Sequence, residues 1–262
     1  MPSPTVSKWE QVAEGFANKC NYPNVIGAID GKHVLITKPN NSGSLYFCYK
    51  KTFSIVLLAV VDADCKFIVV DFGAYGKNSD GAIFRDSKLG KSILSDRFNI
   101  PPPKALPNTD VVLPHVIVGD EAFPLAKHVM RPFPRSQLYD KANKIYNFRH
   151  SSARIVSEHA FGILVKKFRI YSQVLQIAPE HVDSVVLATT CLHNFLRDDA
   201  QLWGPGELDD QEIPRGIEPL PGVGGNAVRE AFNIRDSFKN YFNSPQGQVP
   251  WQDAAINRGK QH

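Results

Sequence analysis

The sequence predicts an α/β protein, a mixed sheet flanked by helices on both faces. Three observations carry that class. Phe53–Val61 and Cys65–Phe72 are β-branched, nearly continuous apolar runs joined by Asp62-Ala63-Asp64, so they read as an antiparallel pair covered on both faces. Two more short apolar strands, Asn24–Ile36 and His115–Val118, stand apart from that pair. The order strand, strand pair, helix, strand, helices then sets helices against the sheet.

Each element has its own signal. Ser7 caps a first helix to Phe16, with Trp9, Val12, Ala13 and Phe16 at helical spacing. The Asn24–Ile36 strand ends in a polar turn, Lys38–Ser44. After the strand pair, Gly73–Asp80 is a loop, and Ser79 or Asp80 caps a helix running to about Leu94. Pro101–Pro114 is a second loop, and the His115–Val118 strand runs into Gly119-Asp120-Glu121. A basic segment broken by Pro124, Pro132 and Pro134 leads to a helix from about Ser151 to Ile170. Its apolar side holds Ala153, Val156, Ala160, Phe161, Leu164 and Phe168. An apolar helix follows over Pro179–Arg197. The stretch 199–226 is an acidic Gly/Pro-rich linker, and 227–262 carries a last amphipathic helix, Ala227–Phe242, and a tail. There are no internal repeats.

Composition narrows the class. With 262 residues, 43% hydrophobic and 21% charged, the chain has enough apolar matter for a proper core. The net charge of +4 is unevenly spread. Lys127–Arg169 holds ten Lys/Arg against two Asp/Glu, whereas Asp198–Leu220 holds seven acids against Arg215 alone. A polyanion-binding face and a solvated segment are the matching expectations. Cys20, Cys48, Cys65 and Cys191 form no CxxC pair, so neither a zinc site nor a disulfide framework is indicated. No secretory signal is visible, and the longest apolar run, Ile55–Val61, is too short to cross a bilayer. A soluble intracellular protein without membrane attachment is expected.

The chemistry rests on carboxylates. Asp30 and Asp120 each end a short apolar strand beside a glycine, where open α/β sheets place their chemistry. Glu158 lies mid-helix off the apolar stripe, with Gly162 one turn on to permit close approach. Three converging carboxylates repel unless a cation neutralises them, and hard oxygen ligands suit Mg²⁺ or Mn²⁺. Plainer readings stand beside this one. Asp30-Gly31 is also a hairpin signal, Asp120 also a turn residue, and Glu158 also an i,i+4 partner of Arg154. Asp62, Asp64, Asp71, Asp80 and Glu121 are rival ligands, Asp71 the most serious; spacing alone does not choose among them.

Several ordered blocks resemble the PIF/Harbinger transposases. Ile26-Gly27-Ala28-Ile29-Asp30-Gly31-Lys32-His33-Val34 is similar to their first catalytic block, followed by a similar stretch through Tyr49-Lys50-Lys51-Thr52-Phe53. Val118-Gly119-Asp120-Glu121-Ala122-Phe123-Pro124 resembles the second block, Arg154–Leu164 the third, and Leu192-His193-Asn194 a later signature. The resemblance runs from about Trp9 to Arg197. It implies a ribonuclease H-like nuclease domain over 24–198, preceded by a helix and lead-in over 1–23. It further implies an Asp-Asp-Glu site at Asp30, Asp120 and Glu158 holding two Mg²⁺ (or Mn²⁺) ions. His159 departs from the Asn more usual in relatives, with an expected effect on tuning the metal. Full transposases of this kind carry an N-terminal helical DNA-binding region, so a fragment or a host-adopted derivative is expected. The resemblance also implies a separate Myb-like DNA-binding partner, a homodimer and a nuclear location.

The basic residues complete the expectation. Lys32, Lys50, Lys51, Lys127, Arg131, Arg135, Lys141, Lys144, Arg149 and Arg154 are candidate DNA phosphate contacts. Tyr139, Tyr146 and Phe148 are candidates for stacking on unpaired bases, unless they pack under a loop. His33 and His193 read as core histidines. The expected function is a metal-dependent DNA endonuclease or transposase. The alternatives are a non-catalytic DNA-binding or adaptor protein that keeps the fold, and a structural partner assembling through the C-terminal helix.

Overall fold

The structure, a computed structural model, describes residues 3–48, 51–75, 80–198, 217–219 and 228–258. Its strands are β1 (Val25–Ile36), β2 (Phe53–Val61), β3 (Phe67–Tyr75), β4 (Lys104–Ala105), β5 (Val112–Leu113), β6 (Val116–Val118), β7 (Val129–Met130) and β8 (Ile217–Pro219). The helices are α1 (Val6–Cys20), α2 (Asp80–Asp86), α3 (Lys88–Leu94), α4 (Lys141–Lys167), α5 (Pro179–Asp198), α6 (Arg229–Phe242) and α7 (Gln252–Arg258).

The main sheet runs β3-β2-β1-β6-β7, with β8 also on β1. β1, β2 and β3 are antiparallel, and β6 and β7 add in parallel. This is the mixed sheet of a ribonuclease H-like α/β fold, with helices flanking it. Its core follows from the sequence directly. β1 and β2 are buried almost throughout, so each large aliphatic contributes roughly 1.5–3 kcal/mol of burial. Gly27 is required by that closeness, because a Cβ there would lie 2.4 Å from Val60 Cγ1. No helix among the described residues is long and apolar enough to cross a membrane.

Several elements differ from expectation for local reasons. α1 runs four residues further, capped by Thr5 rather than Ser7 and closed by Asn21 in the left-handed region. The single helix expected up to Leu94 is two, because the Ser87 hydroxyl caps Gly90 N–H and restarts the chain as α3. α4 begins ten residues before Ser151, capped by Asp140. α6 turns most of its apolar side inward. Phe238 and Phe242 are fully buried, packing with Tyr22 at ring separations of 5.2 and 4.8 Å. Ala231, Ile234, Phe238 and Phe242 are thus covered within the chain, whereas Val228 and Phe232 remain exposed. Of the stretch 199–226 only Ile217–Pro219 is described, lying antiparallel on Lys32–Val34; the rest lies outside the described residues.

Candidate active site

The site forms where one edge of β1 changes partner. β2 covers the other edge over Ala28–Ile36. On the site edge, β6 pairs with Val25–Ala28 and β8 with Lys32–Val34. Between them, at Ile29–Gly31, the edge is unpaired among the described strands, and Asp30 occupies that opening. Its side chain is 8% exposed. Oδ1 accepts from Gly31 N–H at 2.8 Å. Oδ2 accepts no hydrogen bond, although Lys32 Nζ stands 2.7 Å away, an ion pair without hydrogen-bond alignment. Lys32 is on the same face of β1 two residues on, and its ammonium lies 5.7 Å from the centre of the Phe161 ring.

Parallel register delivers the second carboxylate. Ala28 pairs with Val118, so two residues further on each strand Asp30 is level with Asp120. Gly119 permits the approach, since a Cβ there would meet Phe123 Cδ2 at 2.9 Å and Ile29 Cγ2 at 3.0 Å. Asp120 Oδ1 accepts from Ala122 N–H at 2.9 Å, which turns the chain out of the strand. Burial, and then the negative charge of Asp30, push the Asp120 carboxyl above the usual carboxylate range. A carboxyl whose ionisation is opposed by burial and by a neighbouring carboxylate forms, with that neighbour, a site that attracts a cation.

Glu158, on α4, is paired with Arg154 instead of joining the aspartates. Arg154 Nη1 donates to Glu158 Oε1 at 2.6 Å, the i,i+4 contact weighed as the plainer reading. Burial alone would lower the Arg154 pKa. Glu158 first, then Asp30 and Asp120, outweigh that and hold it above its ordinary value. Arg154 thus sits in the common field of all three acids. Among the described residues, no three His, Cys, Asp or Glu side chains converge closely enough to hold an ion. The donor set nevertheless fits a hard divalent cation: two level carboxylates, Asp30 buried with an unbonded oxygen and Asp120 half-buried, and a Glu158 side chain 44% exposed and engaged by Arg154. Gly162 does not serve close packing, because a Cβ there would meet nothing within 4 Å.

The rival acids have structural duties. Asp62 accepts from Asp64 and Lys66 N–H, both at 2.9 Å, and shapes the β2–β3 turn. Asp71 Oδ2 accepts from Leu89 N–H at 2.8 Å and anchors α3. Asp64 pairs with Lys19, Asp80 opens α2, and Glu121 is exposed.

The basic candidates divide. Lys51, Arg135 and Lys141 are exposed, and Lys127, Arg131 and Lys144 are half-buried. Lys127 pairs with Asp96 at 3.1 Å and Lys141 with Asp253 at 2.9 Å. Lys50 lies outside the described residues. Arg149 is 2% exposed, and its guanidinium donates to the Asn21 and Gly247 carbonyls and to Gln252 Oε1, over the Phe242 ring. It therefore has no face for a phosphate. Of the three aromatics Tyr139 is exposed, Tyr146 is in the core, and Phe148 packs edge-on to Trp251 at 5.7 Å. His33 and His193 are buried on Ser54 Oγ and the Cys65 carbonyl, both at 2.8 Å.

Sequence reasoning weighed the Arg154–Glu158 pair but missed the place of Lys32 against Asp30, of Arg154 in the field of the two aspartates, and of His150 beside Asp120. The Asp30/Lys32 spacing of two on a strand and the Arg154/Glu158 spacing of four on a helix were the available signals.

Comparison with known proteins bears on the family. A family model described as DDE superfamily endonuclease matches residues 29–194. "Protein ALP1-like" of Arabidopsis thaliana is 29% identical over 79% of this chain and 50% of its own length. "Putative nuclease HARBI1" of Mus musculus is 28% identical over 76% of this chain and 55% of its own. The Homo sapiens protein of that name is 28% identical over 80% and 58%. The chain thus spans about half the length of these relatives. No solved structure matches it significantly. With the family model matching more than half of the chain, Asp30, Asp120 and Glu158 included, the chain belongs to the DDE superfamily of endonucleases.

Proposed function

We propose that this chain is a metal-dependent DNA endonuclease of the Asp-Asp-Glu type, derived from a Harbinger-like transposase. The observation that carries the reading is the level placement of Asp30 and Asp120 at the gap in the β1 edge left by the described strands, with the buried Asp30 charge opposing ionisation of Asp120. Asp30, Asp120 and, once turned from Arg154, Glu158 would hold Mg²⁺ or Mn²⁺. Bound there, two such ions supply Lewis acidity and a nucleophilic water for phosphodiester cleavage. The protein's own part is to fix the carboxylates from below through β1 and β6 and to steer the phosphate backbone. Arg131, Arg135, Lys141, Lys144 and Lys51 are the side chains for that steering, and Lys127 and Arg154 flank them. The same reading places the activity in the nucleus, with a 3′-hydroxyl as the nucleophile where strands are joined. A separate Myb-like protein supplies sequence recognition, and a homodimer holds two DNA ends.

One observation favours the second reading, a retired enzyme that only binds DNA: Glu158 is engaged by Arg154 at 2.6 Å instead of facing the aspartates. Supercoiled plasmid separates the two. Nicking with Mg²⁺ or Mn²⁺ that disappears in Glu158→Gln supports the nuclease. Salt-sensitive duplex binding with no nicking, in folded protein supplied with its DNA-binding partner, supports the adaptor.

A further inference from the structure

Resting on the nuclease reading, the arrangement around the acids carries one step more. The carboxylates are already neutralised in large part by the protein. Lys32, with a side chain only 13% exposed, is held against Asp30 by its ion pair and by the Phe161 ring. Arg154, 24% exposed, is held by Glu158 and lies in the field of both aspartates. These two cations sit where a divalent ion would do the same work. A divalent ion beside an ammonium and a guanidinium in a half-buried site meets strong like-charge repulsion. Once displaced, both cations need an anion, since a buried unpaired charge is costly. The phosphates of bound DNA are such anions.

We propose that Lys32 and Arg154 are resident counter-ions of the acid cluster, exchanged for the divalent ion when DNA phosphates are present to receive them. Metal and DNA then bind cooperatively, and each alone binds weakly. By linkage, the factor by which the ion tightens DNA binding equals the factor by which DNA tightens ion binding. The free protein is thereby kept from loading metal and cutting without a seated substrate.

The test reads binding, not cleavage. Mn²⁺ is titrated into DNA-free protein and the free ion followed by its electron paramagnetic resonance signal. Lys32→Met and Arg154→Met are each expected to bind Mn²⁺ at least about tenfold more tightly than the unaltered chain, with Asp30→Asn losing the site. Duplex affinity by fluorescence anisotropy, with and without Ca²⁺, is expected to rise with Ca²⁺ in the unaltered chain and to lose that dependence in both variants. If Lys32→Met does not fold, Arg154→Met on the half-exposed helix face carries the same expectation. Mn²⁺ bound by the unaltered chain, lost in Asp30→Asn, and no tighter in either cation variant overturns this inference and leaves the nuclease standing. No Mn²⁺ bound by any of the proteins overturns both.

Discussion

His150 on α4 donates from Nε2 to the Gly119 carbonyl at 2.7 Å, one residue before Asp120. The carbonyl fixes the tautomer, with hydrogen on Nε2 and none on Nδ1, which accordingly has no partner. This single bond ties the helix that carries Glu158 to the strand end that carries Asp120. The ring is fully buried and stacked on Tyr146 at 5.6 Å. Loss of the bond leaves the Gly119 carbonyl unsatisfied, at about 1–3 kcal/mol. His150→Phe should therefore lower the unfolding midpoint and also weaken Mn²⁺ binding. A variant destabilised but with unchanged Mn²⁺ affinity would show that the bond does not position the site.

The same burial sets an acid limit. Burial pulls His150 down to about 4, the Gly119 bond opposing and the positive Arg154 and Arg235 assisting; burial pulls His193 down to about 4 as well. Unfolded histidine titrates near 6.5, so between about pH 6.5 and 4 the unfolded chain binds protons that the folded chain refuses. Stability is complete above that window and falls as pH is lowered through it. Each histidine contributes up to about 1.4 kcal/mol per pH unit. Urea midpoints at pH 7.5 and 5.5 should differ clearly. Coincident midpoints would refute this assignment.

Asp120 has the opposite sign. Its folded pKa is raised by burial and by Asp30, so the ionised form costs stability above that pKa and the cost vanishes as pH falls through it. Asp120→Asn keeps the shape and removes the charge. In metal-free protein at pH 7 it should raise the melting temperature, by about 1 kcal/mol or less in stability, while abolishing metal-induced stabilisation. A destabilised variant would mean that the carboxylate is held by contacts stronger than its repulsion from Asp30.

Much of this was legible in the sequence. β2 was bounded to the residue, because an apolar β-branched run closed by a polar turn has one reading. Asp30 and Asp120 stood out as charges in apolar strands. The first ten residues of α4 did not read as helix, because their buried side includes Asn143, Tyr146, Arg149 and His150 rather than an aliphatic stripe. That polar burial made Arg149 look like a DNA contact. The parallel partner β7 is two residues long, too short for any periodicity. Nor can spacing alone say whether Glu158 faces the aspartates or Arg154; the structure pairs it with Arg154.

Arg149 can be tested as a clasp. It joins the end of α1 to the turn before α7 through three acceptors, with its charge over Phe242. Arg149→Met keeps the stem and removes all three bonds, leaving Gln252 Oε1 with only its Val249 N–H, at about 3 kcal/mol. Proteolysis should then release the α6–α7 segment first. Intact stability with weakened DNA binding would return Arg149 to the list of phosphate contacts.

Gly162 separates stability from use of the site. In a helix interior alanine is better than glycine by about 1 kcal/mol, and nothing lies within 4 Å of a Cβ at this position. Gly162→Ala should therefore stabilise the chain. The space it fills lies one turn from Glu158, on the same side of α4, where a DNA strand entering toward Asp30 and Asp120 would pass. Stability and DNA affinity are thus expected to move in opposite directions, a higher urea midpoint beside weaker anisotropy binding. If both rise or affinity is unchanged, DNA does not use that side of α4. Its approach would then lie along the β6 end, past Arg131 and Arg135.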